Sequence, residues 1–419
     1  MNKTVLILAF HFPPIAMSSG LQRALKIVRY LRDFGWQPVV LTADPRAYAK
    51  TTPEQLSEIP ADVPVHRAFG LDSMRHLAIR GKHLGWTAVP DAWVSWFPAA
   101  VLGGRKLIRE YRPGAIWSTF PIATTNLVAL HLSRSANLPW IADLRDPMTL
   151  EGFPINARRF KCTRWIEKRT VDQARRLVFT AQHTRRIYED RYPRLKGRTA
   201  VIPNGYDEAN FPDPMPERKH RPGECLRIVH SGALQPVGRN PTAFFGALRR
   251  LSAMPEAADL RFEIVFRACG FADRYAKLAA SYGVSDIVTF ADYLPYEDAL
   301  REMVSADGLL VFQGTSYNHA VPAKLYECMY AGTPIFALVD KSGETYSVLE
   351  GAGITSVASI DDEEEIALKL RDFLRAVKSQ SYRLPDPELV RQFSRRSQVM
   401  RLSEILSEEI SRSSGSVLP

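Results

Sequence analysis

A lysine and a glutamate lie three residues apart near the start of a predicted helix in the second half of the chain. Pro322 suits the first turn of this helix, and Gly332 suits its end. A helix that begins after a strand offers backbone N–H groups to an anion, and Lys324 adds a charge that suits a phosphate. Glu327 lies on the same face, where its carboxylate can accept hydrogen bonds from two adjacent hydroxyls, as on a ribose. Alternatively, Lys324 and Glu327 form a surface ion pair worth about a few tenths of a kcal/mol.

A second cationic spot follows the predicted strand Leu226–Ser231. Gly232 and Gly238 permit a close approach of the backbone to a ligand, and Arg239 stands at the start of a helix. A diphosphate held between Arg239 and Lys324 is chemically sensible. The alternative is that Arg239 only caps its own loop.

Three charged residues in the first half, Asp143, Arg145 and Asp146, lie at the end of the predicted strand Trp140–Leu144. Ligands of open α/β sheets bind at the carboxyl ends of the strands. Asp143 or Asp146 can position a hydroxyl of a substrate there, and Arg145 can hold a phosphate. Alternatively, an internal Asp–Arg ion pair among them holds the loop.

Several known catalytic motifs are missing from the sequence. The loop from His11 to Gly20, after the first strand, lacks GxGxxG, which argues against an ordinary NAD(P) dehydrogenase. The P-loop lysine, GxSxG and HExxH motifs are missing too. The four cysteines form no CxxC pair and have no histidine nearby at the spacing of metal ligands. This argues against a structural zinc site and for a reducing compartment. No apolar run is long enough to span a membrane, and Thr4–Phe10 is too short for a signal peptide.

Short apolar runs alternate with helical periodicity in both halves of the chain, which predicts an α/β fold with two doubly wound parallel sheets. We place the domains at residues 1–204 and 205–387, followed by a C-terminal segment at 388–419 with a helix over Glu388–Ile410 and a flexible tail. The predicted strands are Thr4–Phe10, Pro38–Ala43, Ala115–Thr119, Trp140–Leu144, Leu177–Thr180, Ala200–Ile202, Leu226–Ser231, Arg261–Phe266, Ile287–Ala291, Gly308–Phe312, Pro334–Val339 and Ile354–Ala358.

The charge of the chain is divided unevenly. Residues 1–204 carry 31 lysines and arginines against 15 acidic residues, a net charge of +16, whereas residues 205–419 have a net charge of −6. This asymmetry indicates that the first half faces a polyanion or is simply a solvated basic face. Within residues 74–113, basic side chains that include Arg80 and Lys82 alternate with aromatic ones, as at a lipid headgroup boundary. Core packing is the other interpretation of those aromatic residues, which are Trp86, Trp93, Trp96 and Phe97.

Taken together, these residues resemble the GT-B glycosyltransferases, and among them the retaining family-four-like enzymes. The resemblance covers nearly the whole chain. Four stretches carry it: the Pro-rich loop and helix with Arg23, the segment Trp140–Pro147, the stretch Val201–Phe211, and the helix Lys324–Pro334.

The resemblance implies two Rossmann-like domains that face a cleft, with a nucleoside-diphosphate sugar bound by the second domain. Glu327 would hold the ribose, and Arg239 and Lys324 would lie near the diphosphate. The first domain would bind the acceptor, with Ser19 and Gly20 in the loop after the first strand, and the C-terminal helix would cross back onto this domain. The remaining candidate residues are Asp143, Arg145 and Asp146 for catalysis, and Gly232, Tyr293 and His319 for the donor.

The implied reaction is transfer of a sugar, with retention, to a lipid-linked or polysaccharide acceptor. No metal or other cofactor is expected, because cationic side chains and a helix dipole can stabilise the leaving diphosphate. The expected location is the cytoplasmic face of an anionic membrane, and nucleic acid is not an expected partner.

The sequence also departs from the family pattern. His319 stands eight residues before Glu327, where many relatives carry a second glutamate, and many relatives carry a histidine near Arg145 or Asp146. The alternatives are therefore a sugar-nucleotide 2-epimerase of the same fold and a non-catalytic relative that binds sugar nucleotides. A nucleic-acid binder is a third interpretation of the basic half, but no known nucleic-acid-binding module is present.

Overall fold

The computed structural model describes residues 2–16, 19–78, 85–150, 156–216 and 225–415. The chain divides into two compact units, one of residues 1–203 with 395–419 and the other of residues 204–394. The boundaries therefore lie one residue and seven residues away from the predicted ones, and the last helix of the chain belongs to the first unit.

The described part of the first unit contains a parallel sheet in the order β3-β2-β1-β4-β5-β6-β7. Its strands are β1 (Thr4–Leu8), β2 (Gln37–Ala43), β3 (Val65–Ala68), β4 (Ala115–Thr119), β5 (Trp140–Leu144), β6 (Arg176–Phe179) and β7 (Thr199–Val201). Its helices are α1 (Ser19–Tyr30), α2 (Ser73–His76), α3 (Trp96–Tyr111), α4 (Ala123–Ala136), α5 (Ala157–Gln173), α6 (Gln182–Arg191) and α14 (Arg395–Gly415), the last numbered by its place in the chain.

Helices cover both faces of this sheet, which explains why its strands read as nearly continuous apolar runs. On one face, Leu6 and Leu8 of β1 join a core with α3, α4 and α5. On the other face, Val5 and Ile7 pack with α1 and α14. The strand order changes direction between β1 and β4, so the carboxyl ends of these strands define a crevice of the kind that binds ligands.

The second unit repeats this architecture in its described residues, with a parallel sheet in the order β10-β9-β8-β11-β12-β13. Its strands are β8 (Leu226–Ser231), β9 (Phe262–Arg267), β10 (Val288–Ala291), β11 (Gly308–Gln313), β12 (Ile335–Val339) and β13 (Val357–Ser359). Its helices are α7 (Thr242–Ser252), α8 (Ala272–Ser281), α9 (Tyr296–Ser305), α10 (Ala323–Tyr330), α11 (Glu344–Gly351), α12 (Glu363–Lys378) and α13 (Pro387–Arg391).

In this sheet the order changes direction between β8 and β11. Helices α7, α8 and α12 pack on one face and α9, α10 and α11 on the other. The predicted helix over Glu388–Ile410 is wrong as a single element, because the chain leaves the helical conformation between α13 and α14. The predicted flexible tail is also wrong for residues 411–415, which continue α14, while residues 416–419 lie outside the described residues.

Candidate functional site

The start of α10 lies against the carboxyl end of β8. The Lys324 ammonium donates a hydrogen bond to Ser231 Oγ at 3.0 Å. Gly232 has a φ of +132°, and a Cβ at this position would meet Lys324 Cε at 3.3 Å. No described side chain caps the helix at Pro322. A strand end, a helix N-terminus and a lysine therefore meet at one place, which favours an anion. We call Ser231, Gly232, Lys324 and Glu327 the α10 site.

Glu327 is buried one turn inside α10, with 8% of its surface exposed. The Tyr296 hydroxyl donates to its Oε1 at 2.8 Å, and Oε2 accepts no hydrogen bond from the described residues. In this part of the chain no ion pair joins Glu327 to Lys324, so the surface-pair alternative is wrong. Burial, and after it the Glu327 charge, raises the pKa of Cys328 to about 12, so this thiol stays protonated.

Arg239 is anchored by side chains from the end of β11 and the loop after it. Its Nε donates to Gln313 Oε1 at 2.9 Å, and its guanidinium lies 5.2 Å from the centre of the Tyr317 ring. Burial lowers the pKa of Arg239 from its ordinary value. Gly238 has a φ of +80°, and a Cβ there would come within 2.6 Å of the Tyr317 ring. The Arg239 side chain therefore does more than cap its own loop, because it is held across the carboxyl edge of the sheet.

The other two predicted donor residues lie in neighbouring loops. His319 is half-buried between β11 and α10. That loop is fastened by Asn318, whose amide donates to Asp340 Oδ2 at 2.9 Å and holds the pKa of Asp340 well below its usual range. Tyr293 is 57% exposed in the loop between β10 and α9, three residues before Tyr296.

Sequence reasoning missed a buried histidine beside the α10 site. His230 is the residue before Ser231 in β8, and its Nδ1 lies 2.9 Å from the Leu310 carbonyl oxygen. Burial, with smaller effects of the Lys324 and Arg239 charges, lowers the pKa of His230 to about 4. A neutral imidazole thus lies near two cations. A histidine that directly follows the apolar pair Ile228 and Val229 in a predicted strand was the signal that could have found it.

In the first unit, Asp143 is a buried structural partner of a residue from α1. Arg23 donates from Nε and Nη2 to the two carboxylate oxygens of Asp143 at 2.7 and 2.8 Å, and both side chains are buried. The same guanidinium donates to the carbonyls of Ile202 and Pro203 at 3.0 and 2.9 Å. Asp143 therefore joins α1, β5 and the chain after β7 as an ion-pair partner of Arg23, and not as part of the internal pair with Arg145 that the sequence suggested.

Arg145 and Asp146 follow β5 in different surroundings. Arg145 is 7% exposed, and burial lowers its pKa although the neighbouring Asp146 charge opposes this. Asp146 is exposed. His11 follows β1 at the same edge of the sheet, and burial, then the Arg145 charge, lowers the pKa of His11 to about 4. Sequence reasoning did not single out His11, which adds a neutral imidazole near Arg145.

Ser19 and Gly20 do not form a loop, because α1 already begins at Ser19. Gly20 is buried in the first turn, whereas the Ser19 side chain and residues 17–18 lie outside the described residues. The structure therefore places both residues in the first turn of α1 and not in the loop after β1.

Three aromatic residues of segment 74–113, Trp93, Trp96 and Phe97, pack in or against the core of the first unit. Trp96 is fully buried, with its ring centre 5.4 Å from that of Phe10. Trp93 lies 5.2 Å from the same ring and donates to the Ala47 carbonyl at 3.3 Å. Core packing is therefore the right interpretation of these three. The Trp86 side chain and residues Arg80 and Lys82 lie outside the described residues.

The described residues contain neither a membrane-spanning helix nor a cluster of metal-binding side chains. None of their helices is long and apolar enough to cross a membrane. Within the same ranges, no group of three or more His, Cys, Asp or Glu side chains is arranged around a common point where a metal ion could bind.

Solved structures with this architecture define the class of the fold. Sucrose-phosphate synthase from Thermosynechococcus elongatus matches with a TM-score of 0.66 and 14% identity, over 98% of this chain and 99% of that chain. Anabaena HepE, in complex with UDP-glucose, gives 0.63 and 14% over 97% and 99%. A putative UDP-N-acetylglucosamine 2-epimerase from Listeria monocytogenes gives 0.59 and 12% over 98% and 98%. The chain has the GT-B fold, as predicted.

The sequence comparison finds one family model that matches the first half of the chain. Residues 20–205 match the family model of the glycosyl transferase 4-like domain. This match and the GT-B fold confirm the predicted resemblance to the family-four-like GT-B glycosyltransferases. No curated protein matches the chain in sequence.

Proposed function

We propose that this protein is a retaining glycosyltransferase that takes a sugar from a nucleoside-diphosphate donor and passes it to a glycan or lipid-linked acceptor. The observation that carries the proposal is the buried Glu327 carboxylate. The Tyr296 hydroxyl donates to one of its oxygens at 2.8 Å. Glu327 lies one turn inside α10, whose first residues include Lys324. A carboxylate fixed in this way is preorganised to accept two hydroxyl hydrogen bonds, which suits a ribose.

In this proposal, Lys324 and the start of α10 hold the diphosphate, and Arg239 lies close to it. These cations stabilise the negative charge that develops on the leaving phosphate, so the reaction proceeds without a metal ion. The solved complex of HepE with UDP-glucose supports a nucleotide sugar as the donor. Retention of configuration follows the family-four-like enzymes, in which the leaving phosphate oxygen helps to deprotonate the acceptor.

In the first unit, we assign Arg145 and Asp146 to the acceptor side of the reaction. Both follow β5 at the carboxyl edge of the sheet, next to the point where the strand order changes direction. Asp146 is exposed and can accept a hydrogen bond from an acceptor hydroxyl, while buried Arg145 supplies a fixed positive charge beneath it.

We further propose that the acceptor side works at an anionic membrane on the cytoplasmic face. Leu102 of α3 is 67% exposed and Trp165 of α5 is 49% exposed, with Arg169 at 5.4 Å from the Trp165 ring. The same helices and α4 carry further exposed cations, and this combination suits a lipid headgroup region. We call the following set the basic helical surface: Leu102, Arg105, Lys106, Arg109, Arg134, Lys161, Trp165, Lys168 and Arg169.

The decisive experiment measures the thermal stability of the protein with a panel of UDP-, GDP-, ADP- and dTDP-sugars, followed by product analysis with the donor that binds. A ligand of the folded state raises the melting temperature by mass action. We expect one nucleotide class to raise it and an acceptor-dependent release of nucleoside diphosphate to follow. Formation of a 2-epimer without acceptor would instead identify an epimerase, as the likeness to the Listeria protein allows. Binding without turnover would identify a non-catalytic relative.

A further inference from the structure

The loop after β5, residues 145–150, carries Arg145 and Asp146, and its backbone is held by side chains from outside it. We call these residues the β5 loop. The Thr180 hydroxyl donates to the Arg145 carbonyl at 2.6 Å. The Met148 N–H donates to a tyrosine hydroxyl, and the Thr149 N–H donates to a carboxylate. Three points along the loop are therefore fixed, by the residue that follows β6 and by one side chain each from α5 and α6.

The carboxylate that receives the Thr149 N–H belongs to Glu167 of α5, which is fully buried. Its Oε2 accepts from the N–H and the hydroxyl of Thr149 at 3.0 and 2.8 Å, and from the Tyr188 hydroxyl at 3.0 Å. Its Oε1 accepts from the Tyr192 hydroxyl at 2.7 Å and from Arg191 Nη1 at 3.0 Å. Both oxygens are therefore saturated by donors, and the carboxylate has no place for a ligand.

Tyr188 links the loop to this carboxylate. Its hydroxyl accepts from the Met148 N–H at 2.9 Å and donates to Glu167 at 3.0 Å. Tyr192 donates to the same carboxylate and makes no hydrogen bond to the β5 loop among the described residues. Burial, followed by the Glu167 charge, raises the pKa of Tyr188 well above its ordinary value and that of Tyr192 as well, so both hydroxyls remain donors.

Burial of a carboxylate destabilises the folded protein unless hydrogen bonds and a charge partner offset its desolvation. At Glu167, hydrogen bonds from Thr149, Tyr188, Tyr192 and Arg191 offset this cost. The bonds that involve Thr149 and Tyr188 also fix the loop that carries Arg145. We propose that Glu167 and Tyr188 are positioning residues for sugar transfer, which hold the β5 loop in the one conformation in which Arg145 and Asp146 face the reacting groups. This inference rests on the proposed function and assigns a role to residues that sequence reasoning did not select.

The test compares two tyrosine variants in the full-length protein, Tyr188→Phe and Tyr192→Phe. Each removes one hydrogen bond to Glu167 and keeps the ring, but only Tyr188→Phe also removes the acceptor of the Met148 N–H. We expect Tyr188→Phe to lower kcat for transfer from UDP-glucose about tenfold, because a small displacement of the β5 loop misplaces Arg145 and Asp146. The dissociation constant for UDP should stay unchanged. Tyr192→Phe should keep a kcat close to that of the wild type.

Hydrogen exchange of the peptide that contains Met148 and Thr149 gives a readout that does not depend on turnover. Exchange of these amides should become faster in Tyr188→Phe than in Tyr192→Phe. Equal kcat values in the two folded variants, or equal exchange, would overturn the positioning role. A wild-type protein that transfers no sugar from any donor of the panel would overturn the proposed function, whereas the exchange contrast decides separately whether Tyr188 holds the loop.

Discussion

The carboxylates of Glu327 and Asp143 are both buried, but they differ in what saturates them. Asp143 receives two charged hydrogen bonds from Arg23, whereas Glu327 receives one bond from the neutral Tyr296 hydroxyl. A carboxylate with an unfilled oxygen in a polar crevice can still bind a ligand, and one that is fully paired acts as structure. This difference leads to opposite expectations for the two residues.

Replacement of Glu327 by glutamine should weaken UDP binding about tenfold or more, because charge-assisted hydrogen bonds to ribose hydroxyls are worth about 1.5–3 kcal/mol each. Folding should change little, since the amide keeps the shape and can still accept from Tyr296. Calorimetric titration with UDP measures the affinity. Tyr296→Phe is the matched control, because it loses the bond to Oε1 but keeps the charge, and its affinity should fall less. An unaltered affinity in Glu327→Gln would reject the ribose role.

Asp143→Asn should lower the free energy of unfolding by about 3–5 kcal/mol, because it leaves the buried Arg23 guanidinium without its counter-charge. Asp146→Asn, three residues along the chain and exposed, should change stability by less than about 0.5 kcal/mol and should lower turnover instead. Urea unfolding of both variants, with steady-state kinetics of Asp146→Asn, separates the two effects. A similar loss of stability in both would mean that Asp146 belongs to the same structural ion-pair cluster.

His230 should make the folded protein sensitive to acid. Its pKa is about 4 in the folded protein against 6.5 for an ordinary histidine, so below pH 6.5 the unfolded chain binds a proton that the folded chain does not. Stability is therefore retained above pH 6.5 and lost as the pH falls toward 4, by at most about 3 kcal/mol. His230→Asn keeps a donor near the Leu310 carbonyl and cannot titrate, so its unfolding free energy should fall less over this range. Parallel pH profiles of variant and wild type would contradict this assignment.

At the scale of the elements, α14 completes the core of the first unit. Val399, Leu402, Leu406 and Ile410 pack with α1 against one face of the sheet. Leu406 is fully buried, so Leu406→Ala should cost about 2–5 kcal/mol of unfolding free energy. Met400 on the same helix is 43% exposed, and Met400→Ala should stay within about 0.5 kcal/mol. Chemical denaturation measures both unfolding free energies, and an equally small loss in Leu406→Ala would show that α14 contributes little to this core.

Strands buried on both faces were predictable because their apolar runs have sharp ends. Ala115–Thr119, Trp140–Leu144 and Leu226–Ser231 have the predicted bounds in the structure. The strand β3 was not predicted, because Val65–Ala68 is a short edge strand that contains a histidine and an arginine. Edge strands keep fewer apolar residues, so periodicity gives little signal there.

Spacing within one element was a good guide to the site, and long-range partners were not. The Lys324–Glu327 spacing placed both residues in one short helix, as α10 shows. The partner of Asp143 is Arg23, which lies 120 residues away in the sequence. Glu167 lies in a strongly basic helix, so nothing in its local pattern distinguished it from a solvated acidic residue. Such pairings are set by tertiary packing, which a single sequence does not contain.

At the scale of the molecule, the charge of the first half should act through the basic helical surface. The protein should sediment with anionic vesicles at low salt and lose binding by about 0.5 M salt, because screening shortens the reach of each charge. Trp165→Ala should weaken this binding, whereas Phe271→Ala, which changes a 60% exposed aromatic residue of the second unit, should not. Equal binding to neutral vesicles, or none at low salt, would argue against an electrostatic membrane partner.

The order of its segments along the chain also affects how the first unit folds during synthesis on the ribosome. Residues 204–394 are synthesised between β7 and α14, so the first sheet emerges well before the helix that covers one of its faces. At about 5–20 residues per second, this interval lasts roughly 10–40 s. The nascent chain therefore carries an uncovered apolar strip beside α1 while the second unit is already able to fold, and a chaperone bound there would have to leave before α14 could dock.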